Sequence, residues 1–180
     1  IKNPFMNHHK SILTVIITAV MLIFTTQSCG VKYSLSGGSI PENMNTYTVE
    51  FFENIAPMVI TSLSQDFTEG LKERIRTKSR LNQVDQNGDA IFEGVNTSYT
   101  ISSASVEANT NLAALNRLSI TVKVKYTNRK DESGESDYEE NFTQFREFRG
   151  TVNTNTELQL TREIILMLTE DIYNRTFNNW

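Results

Sequence analysis

Leu118, Ile120, Val122, Val124 and Tyr126 alternate with Ser119, Thr121, Lys123 and Lys125, a period of two that predicts a strand with one buried and one polar face. Upstream, Tyr47–Phe52 is dense in aromatic and β-branched residues and predicts a first strand, which Asn54–Pro57 ends. Leu63, Phe67, Leu71 and Ile75 recur at every fourth position, the spacing of one helical face, and predict a helix over 62–79. Ser62 and Gln65 stand at capping-box spacing at its start. Its other face carries Glu69, Lys72, Glu73, Arg76 and Lys78, an ordinary solvated surface.

Three further strands follow from the same reading. Over Ile91–Ser103 the inward side is assigned to Ile91, Val95, Tyr99 and Ile101, with Glu93 interrupting it and Gly94 marking a bend or bulge. The 118–126 alternation comes next. After a charged hairpin loop over Lys130–Asp137, Tyr138 and Phe142 open a last strand to Phe148, in which Phe145 and Phe148 suggest a bulge. Thr154 and Glu157 repeat the capping-box spacing before a second helix, with Leu158, Ile165, Leu168 and Ile172 on its apolar face and an end near Asn174. The order β-α-β-β-β-α predicts an α/β (α+β) two-layer sandwich, two helices on one face of a four-stranded mixed sheet.

One apolar segment does not belong to this pattern. Ile12–Phe24 is a run of 13 residues, about 20 Å as a helix against roughly 30 Å of hydrocarbon, too short for a span. Lys10 precedes it, and Ser28 and the chain's only cysteine, Cys29, follow it. This is the layout of a cleaved export signal ending in a lipid-attachment cysteine. Residues 1–28 then read as an N-terminal extension and cleaved signal, 29–45 as a lipidated tether, and 46–180 as a single domain. Acylation of Cys29 amounts to permanent membrane anchoring, at about 0.8 kcal/mol per buried CH₂. Gly30-Val-Lys-Tyr33 has no Asp after the cysteine and no acidic run, so the expected location is the outer membrane, lipid-anchored, with the body on the periplasmic side.

Composition narrows the chemistry of that body. The whole chain has 17 Lys+Arg and 21 Asp+Glu, and residues 1–28 hold two of the lysines and none of the acids, leaving 15 against 21 and a net charge of −6. Both histidines, His8 and His9, also lie in the discarded part. A body without His or free thiol lacks the commonest general base, metal ligand and soft nucleophile, which argues against zinc, redox and Ser-His or Cys-His chemistry. The acidic balance argues against nucleic acid. No metal, cofactor other than the lipid on Cys29, or catalytic residue is expected.

The remaining constellations are weak. Asp85-Gln-Asn87-Gly88-Asp89 lacks the ligand spacing of a calcium loop and reads as a turn. Glu69 with Glu73, or Glu139 with Glu140, would be the acid pair of a carboxylate-dependent glycan hydrolase, but nothing around them predicts burial. Lys123 and Lys125 project from the polar side of their strand, Arg117 lies just before it, and the three are candidates for contact with an anionic headgroup.

Four blocks carry a resemblance to a known family: Cys29-Gly-Val-Lys-Tyr-Ser-Leu-Ser-Gly37-Gly38, Leu63-Ser-Gln-Asp-Phe-Thr-Glu69 continuing to Leu81, Gly88-Asp-Ala-Ile-Phe-Glu93-Gly94, and Ala113-Ala-Leu-Asn-Arg117-Leu-Ser-Ile-Thr-Val-Lys-Val. Together they resemble the lipopolysaccharide-assembly lipoprotein LptE in its Bacteroidetes form. The resemblance implies the same two-helix, four-stranded fold over 46–180. It further implies a non-enzymatic plug in the lumen of the outer-membrane β-barrel LptD, with Arg117, Lys123 and Lys125 as candidates for lipopolysaccharide contact. The competing reading is a periplasm-facing lipoprotein accessory of another secretion or barrel-assembly complex.

Overall fold

The structure, a computed structural model, describes residues 40–58, 60–105 and 115–178. All lie in the larger of two units of the chain, Ser36–Trp180. Cys29 and the signal segment are outside the described residues. The elements in order are β1 (Thr46–Val49), β2 (Glu53–Asn54), α1 (Leu63–Lys78), β3 (Asn82–Gln83), β4 (Ala90–Ser105), β5 (Leu115–Asn128), β6 (Tyr138–Arg149) and α2 (Thr154–Tyr173), which runs on into a π-helical turn at Asn174–Asn178. The sheet has six strands rather than four, ordered β3-β1-β4-β5-β6 with β2 also on β4. β2 and β3 are two-residue strands, too short to produce any alternation, which is why their sequence carries no signal. The sheet is mixed as expected, with β1, β2 and β3 in parallel pairings and β4-β5-β6 antiparallel.

Both helices cover one face. α1 buries the four residues of the predicted stripe, Leu63, Phe67, Leu71 and Ile75, and Thr68 beside them. α2 buries Ile164, Ile165, Leu168 and Ile172, with Thr161 and Thr169, whereas Leu158 is only half-buried. The helices lock to each other where Gly70 brings α1 against Ile165, and through bonds from Arg74 to the Leu166 carbonyl and from Tyr173 to the Lys78 carbonyl. Beyond α2 the π-helical turn continues burial past the expected end, seating Phe177 against Phe92, Tyr126 and Tyr173.

The helix starts differ from the capping boxes read in the sequence. Ser62 sits at the start of α1 in helical conformation with no side-chain cap bond. At α2 the cap is Asn153, whose Oδ1 accepts from the Thr156 amide at 2.9 Å, so Thr154 is already inside the helix. Glu157, released from a capping role, accepts the buried Tyr99 hydroxyl at 2.8 Å.

The facing of β4 is a further correction. Its first half buries Ala90, Phe92 and Asn96, and leaves Ile91, Glu93 and Val95 on the other side. Asn96 pairs with Val122 but Ser98 with Thr121, so Thr97 is an extra residue that swaps the faces and lets Tyr99 point inward. A bulge thus joins two halves of opposite phase, and the sequence reading ran the second half's phase through the first. Glu93 does not interrupt a buried side; it belongs to the exposed one. Gly94, three residues before the bulge, has another purpose: Phe52 lies over it, and a β-carbon there would stand 2.5 Å from the Phe52 ring and 2.1 Å from the Lys123 carbonyl.

β6 shows the converse. Its pairing with β5 runs from Leu115↔Arg149 to Tyr126↔Tyr138 without a break, so the bulge expected near Phe145 and Phe148 is absent. Phe142 and Phe148 keep the inward phase of Tyr138, and only Phe145 turns outward, 42% exposed.

Candidate interaction face

Because both helices sit on one side, the other side of the sheet is a helix-free face made of the outward residues of β4, β5 and β6. β5 contributes Arg117, Ser119, Thr121, Lys123 and Lys125, in one row by strand alternation. The three candidate cations therefore do share a surface. Each is neutralised there by a carboxylate from a neighbouring strand: Lys125 bonds Glu93 at 2.9 Å, Lys123 pairs with Glu139, and Arg117 bonds Glu147 at 2.6 Å. Arg117 also lies over the Phe145 ring at 4.1 Å, which accounts for an aromatic on the polar face. Midway along the row, Thr121 and Thr143 share a hydroxyl bond of 2.9 Å. The Glu93 hydrogen bond holds the Lys125 ammonium above its usual range, and the Lys123 hydrogen bond holds the Glu139 carboxyl below its own.

The face is thus an ion-pair ladder with hydroxyls between the rungs, polar without a free positive field. A phosphate reaching Arg117, Lys123 or Lys125 would meet a cation whose charge a carboxylate already offsets. In the sequence, none of the cross-strand acids that make this so is read as a partner of these cations. Register is the only thing that opposes Glu139 and Glu147 to β5, and register across a hairpin depends on its turn, not on composition.

The acid pairs fare no better as catalytic groups. Glu69 pairs with Lys72, Glu73 with Arg76, Glu139 with Lys123, and both oxygens of Glu140 accept from Arg175. Each is committed to a different cation at the surface, which is not the arrangement of an acid facing a base. In the 85–89 turn, Asn87 takes the left-handed conformation at φ 59° and Gly88 passes so near β1 that a β-carbon would lie 2.6 Å from the Thr48 amide. Its Asp89 accepts from the Asn45 and Thr46 amides at 2.8 and 3.0 Å and pairs with Lys130. This carboxylate closes the fold; it is not a calcium ligand in waiting.

A cavity of about 440 Å³ opens at the hairpin end of the sheet, lined by Tyr126, Asn128, Asp131, Arg175 and Phe177 among others. Arg175 is held there by Glu140 and the Tyr138 ring, and Asp131 by the hydroxyls and amides of Ser133 and Ser136, whereas the Glu135 carboxylate has no ion-pair partner among the described residues. Burial pushes the Tyr138 hydroxyl up to about 12, and that of Tyr126 up as well. Among the described residues no helix is long and apolar enough to cross a membrane.

One solved structure shares this architecture. Rare lipoprotein B from Shewanella oneidensis superposes with a TM-score of 0.50 at 16% identity, covering 72% of this chain and 92% of that one. A minor lipoprotein from Acinetobacter baumannii gives 0.48 at 17% identity, covering 73% and 91%. At such identities the first likeness speaks for the fold alone. No curated protein matches by sequence. The model of the LptE family, described as lipopolysaccharide-assembly, matches residues 44–176, from the start of β1 to the π-helical turn. Most of the chain is covered by that match, and the chain belongs to the LptE family.

Proposed function

We propose that this chain is a lipopolysaccharide-assembly lipoprotein held at the outer membrane by lipid on Cys29, acting as a non-enzymatic partner within the lumen of an LptD-type β-barrel. The observation that carries this reading is the family match over residues 44–176. The body's chemistry supports it: a wide barrel lumen is polar and wet, and the helix-free face offers hydroxyls and internally neutralised charges that can exchange hydrogen bonds without a large electrostatic penalty. In this reading the scaffold works by shape, and lipopolysaccharide passes beside it. Direct contact of Arg117, Lys123 or Lys125 with lipopolysaccharide phosphates would engage cations whose charge a carboxylate already offsets.

The test is affinity purification of the tagged protein from detergent-solubilised outer membranes. Recovery of an LptD-type barrel in stoichiometric amount is expected; recovery of a different barrel or secretion component in its place would overturn the reading. Cys29→Ser should lose the lipid mass on the amino-terminal peptide and release the protein from membranes when the barrel is depleted.

A further inference from the structure

Three of the large apolar side chains left exposed on the body fall within eight residues: Phe51 (59%), Ile55 (61%) and Met58 (50%). Their exposure is built by the backbone. Between Val49↔Phe92 and Glu53↔Val95 the first strand advances four residues while β4 advances three, so β1 and β2 are one strand broken by a bulge. The extra residue lets Phe52 turn in over Gly94 and throws Phe51 out. Bulges recur where a strand re-aims a side chain toward something else. The adjoining strand edge is closed at this point, since Thr68 of α1 takes the Phe52 amide at 3.1 Å. The surface therefore offers side chains and not a free backbone edge.

Charge identifies the occupant. From Tyr33 to Leu71 the chain contains no Lys or Arg. Glu50, Glu53 and Asp66 are exposed in this stretch and have no cationic partner among the described residues. This contrasts with the helix-free face, where every acid of the ladder is matched. Unmatched carboxylates around an apolar patch repel an anionic bilayer and favour a cationic partner. Arg80 holds the Ile40 and Pro41 carbonyls beside the C-terminal end of α1. The patch leads into the other end of that helix, roughly 24 Å away for its 16 residues.

We propose that Phe51, Ile55 and Met58, with Glu50 and Glu53 to either side of Phe51 in the chain, dock an apolar segment of a partner protein flanked by Lys or Arg. Glu53 lies beside Val95 on β4, the strand that also carries Glu93, so this surface adjoins the ion-pair ladder without using any of its pairs, and it does not depend on the barrel reading. Two labelled twelve-residue peptides test it by fluorescence anisotropy with the full chain in detergent, one with an apolar centre and two Lys at each end, the other with Glu in place of Lys. Micelles alone provide the blank. The Lys peptide is expected to bind at least tenfold more tightly than the Glu peptide, and to lose at least tenfold with F51S/I55S at an unchanged urea midpoint. E50Q/E53Q, which leaves the apolar side chains in place, should weaken it severalfold and flatten its salt dependence. Equal binding of the two peptides, or full binding by both variants, would overturn the proposal. So would a dimer in sedimentation that F51S/I55S dissociates, which assigns the patch to a second copy, or vesicle binding by Cys29→Ser that F51S/I55S abolishes, which assigns it to the bilayer.

Discussion

The ring of Phe52 occupies the space that a side chain at position 94 would need, 2.5 Å from where a β-carbon would lie. Replacing a strand glycine by alanine ordinarily gains a few tenths to 1 kcal/mol, roughly, through the unfolded state. Here the Lys123 carbonyl at 2.1 Å is backbone and cannot yield without parting β4 from β5. Overpacking wins, and Gly94→Ala is expected to lose roughly 3 kcal/mol. A lower urea midpoint with an unchanged slope checks it; a variant as stable as the parent would show that the strands part freely.

Asn153, and not the Ser/Thr residues at capping-box spacing, closes the N-terminus of α2. Asn153→Ala should cost about 1 kcal/mol, whereas Thr154→Ala should stay within about 0.5 kcal/mol. Thermal melting of the two variants side by side separates them, and equal losses would contradict the observed cap.

Asp89 ties the start of β1 to the far hairpin through the Asn45 and Thr46 amides and Lys130. Burial pushes its carboxyl up, but the hydrogen bonds from Asn45, Lys130 and Thr46 outweigh it and bring the group down from 3.8 to about 2. A folded value below the unfolded one means the stabilisation is whole above about pH 4 and is lost as the pH falls toward about 2. Allowing for partial solvent screening, about 1 kcal/mol is at stake. Asp89→Asn should forfeit that amount at pH 7 and have a shallower stability profile between about pH 4 and 2. Chemical denaturation at stepped pH measures both.

The parts of the fold legible in the sequence were those governed by local period. The α1 stripe and the 118–126 alternation lie where expected because each is long enough to repeat its pattern. What escaped was set by single residues or by partners distant in sequence. Thr97 adds one residue and reverses which half of β4 is buried, and no period survives such a step. Phe145 looked like a break in β6 because an aromatic on the outer face makes sense only with Arg117 above it. The two-residue strands β2 and β3 exist through β4 and β1, not through their own composition. For the candidate face, the sequence supplied the row of cations and withheld the carboxylates that neutralise it.

That neutralisation can be tested rung by rung. Lys125→Glu alone places two acids opposite each other on β4 and β5, and Glu93→Lys alone places two cations there. Each single reversal should lower the urea midpoint, and the double reversal, which restores the pair with its polarity exchanged, should recover it in part, because position 125 also faces Glu139 on β6. If the face carries lipopolysaccharide contact through its cations, the double reversal should keep that contact because a lysine remains at the rung. Loss of contact despite recovered stability would mean that the position of the charge, and not its presence, is what matters.

Asn96 lies inside at the bulge, fully buried, with neither atom of its amide bonded to a protein partner. An unsatisfied buried amide costs about 1–3 kcal/mol, whereas an apolar side chain of similar volume removes the cost. Asn96→Leu is therefore expected to raise the urea midpoint. The bulge itself should persist, because Thr97 and not Asn96 is the inserted residue, and the Tyr99 bond to Glu157 holds the second half of β4 in phase. If Asn96→Leu is destabilising while Tyr99→Phe leaves stability unchanged, the amide and not the Tyr99–Glu157 bond maintains the change of face in β4.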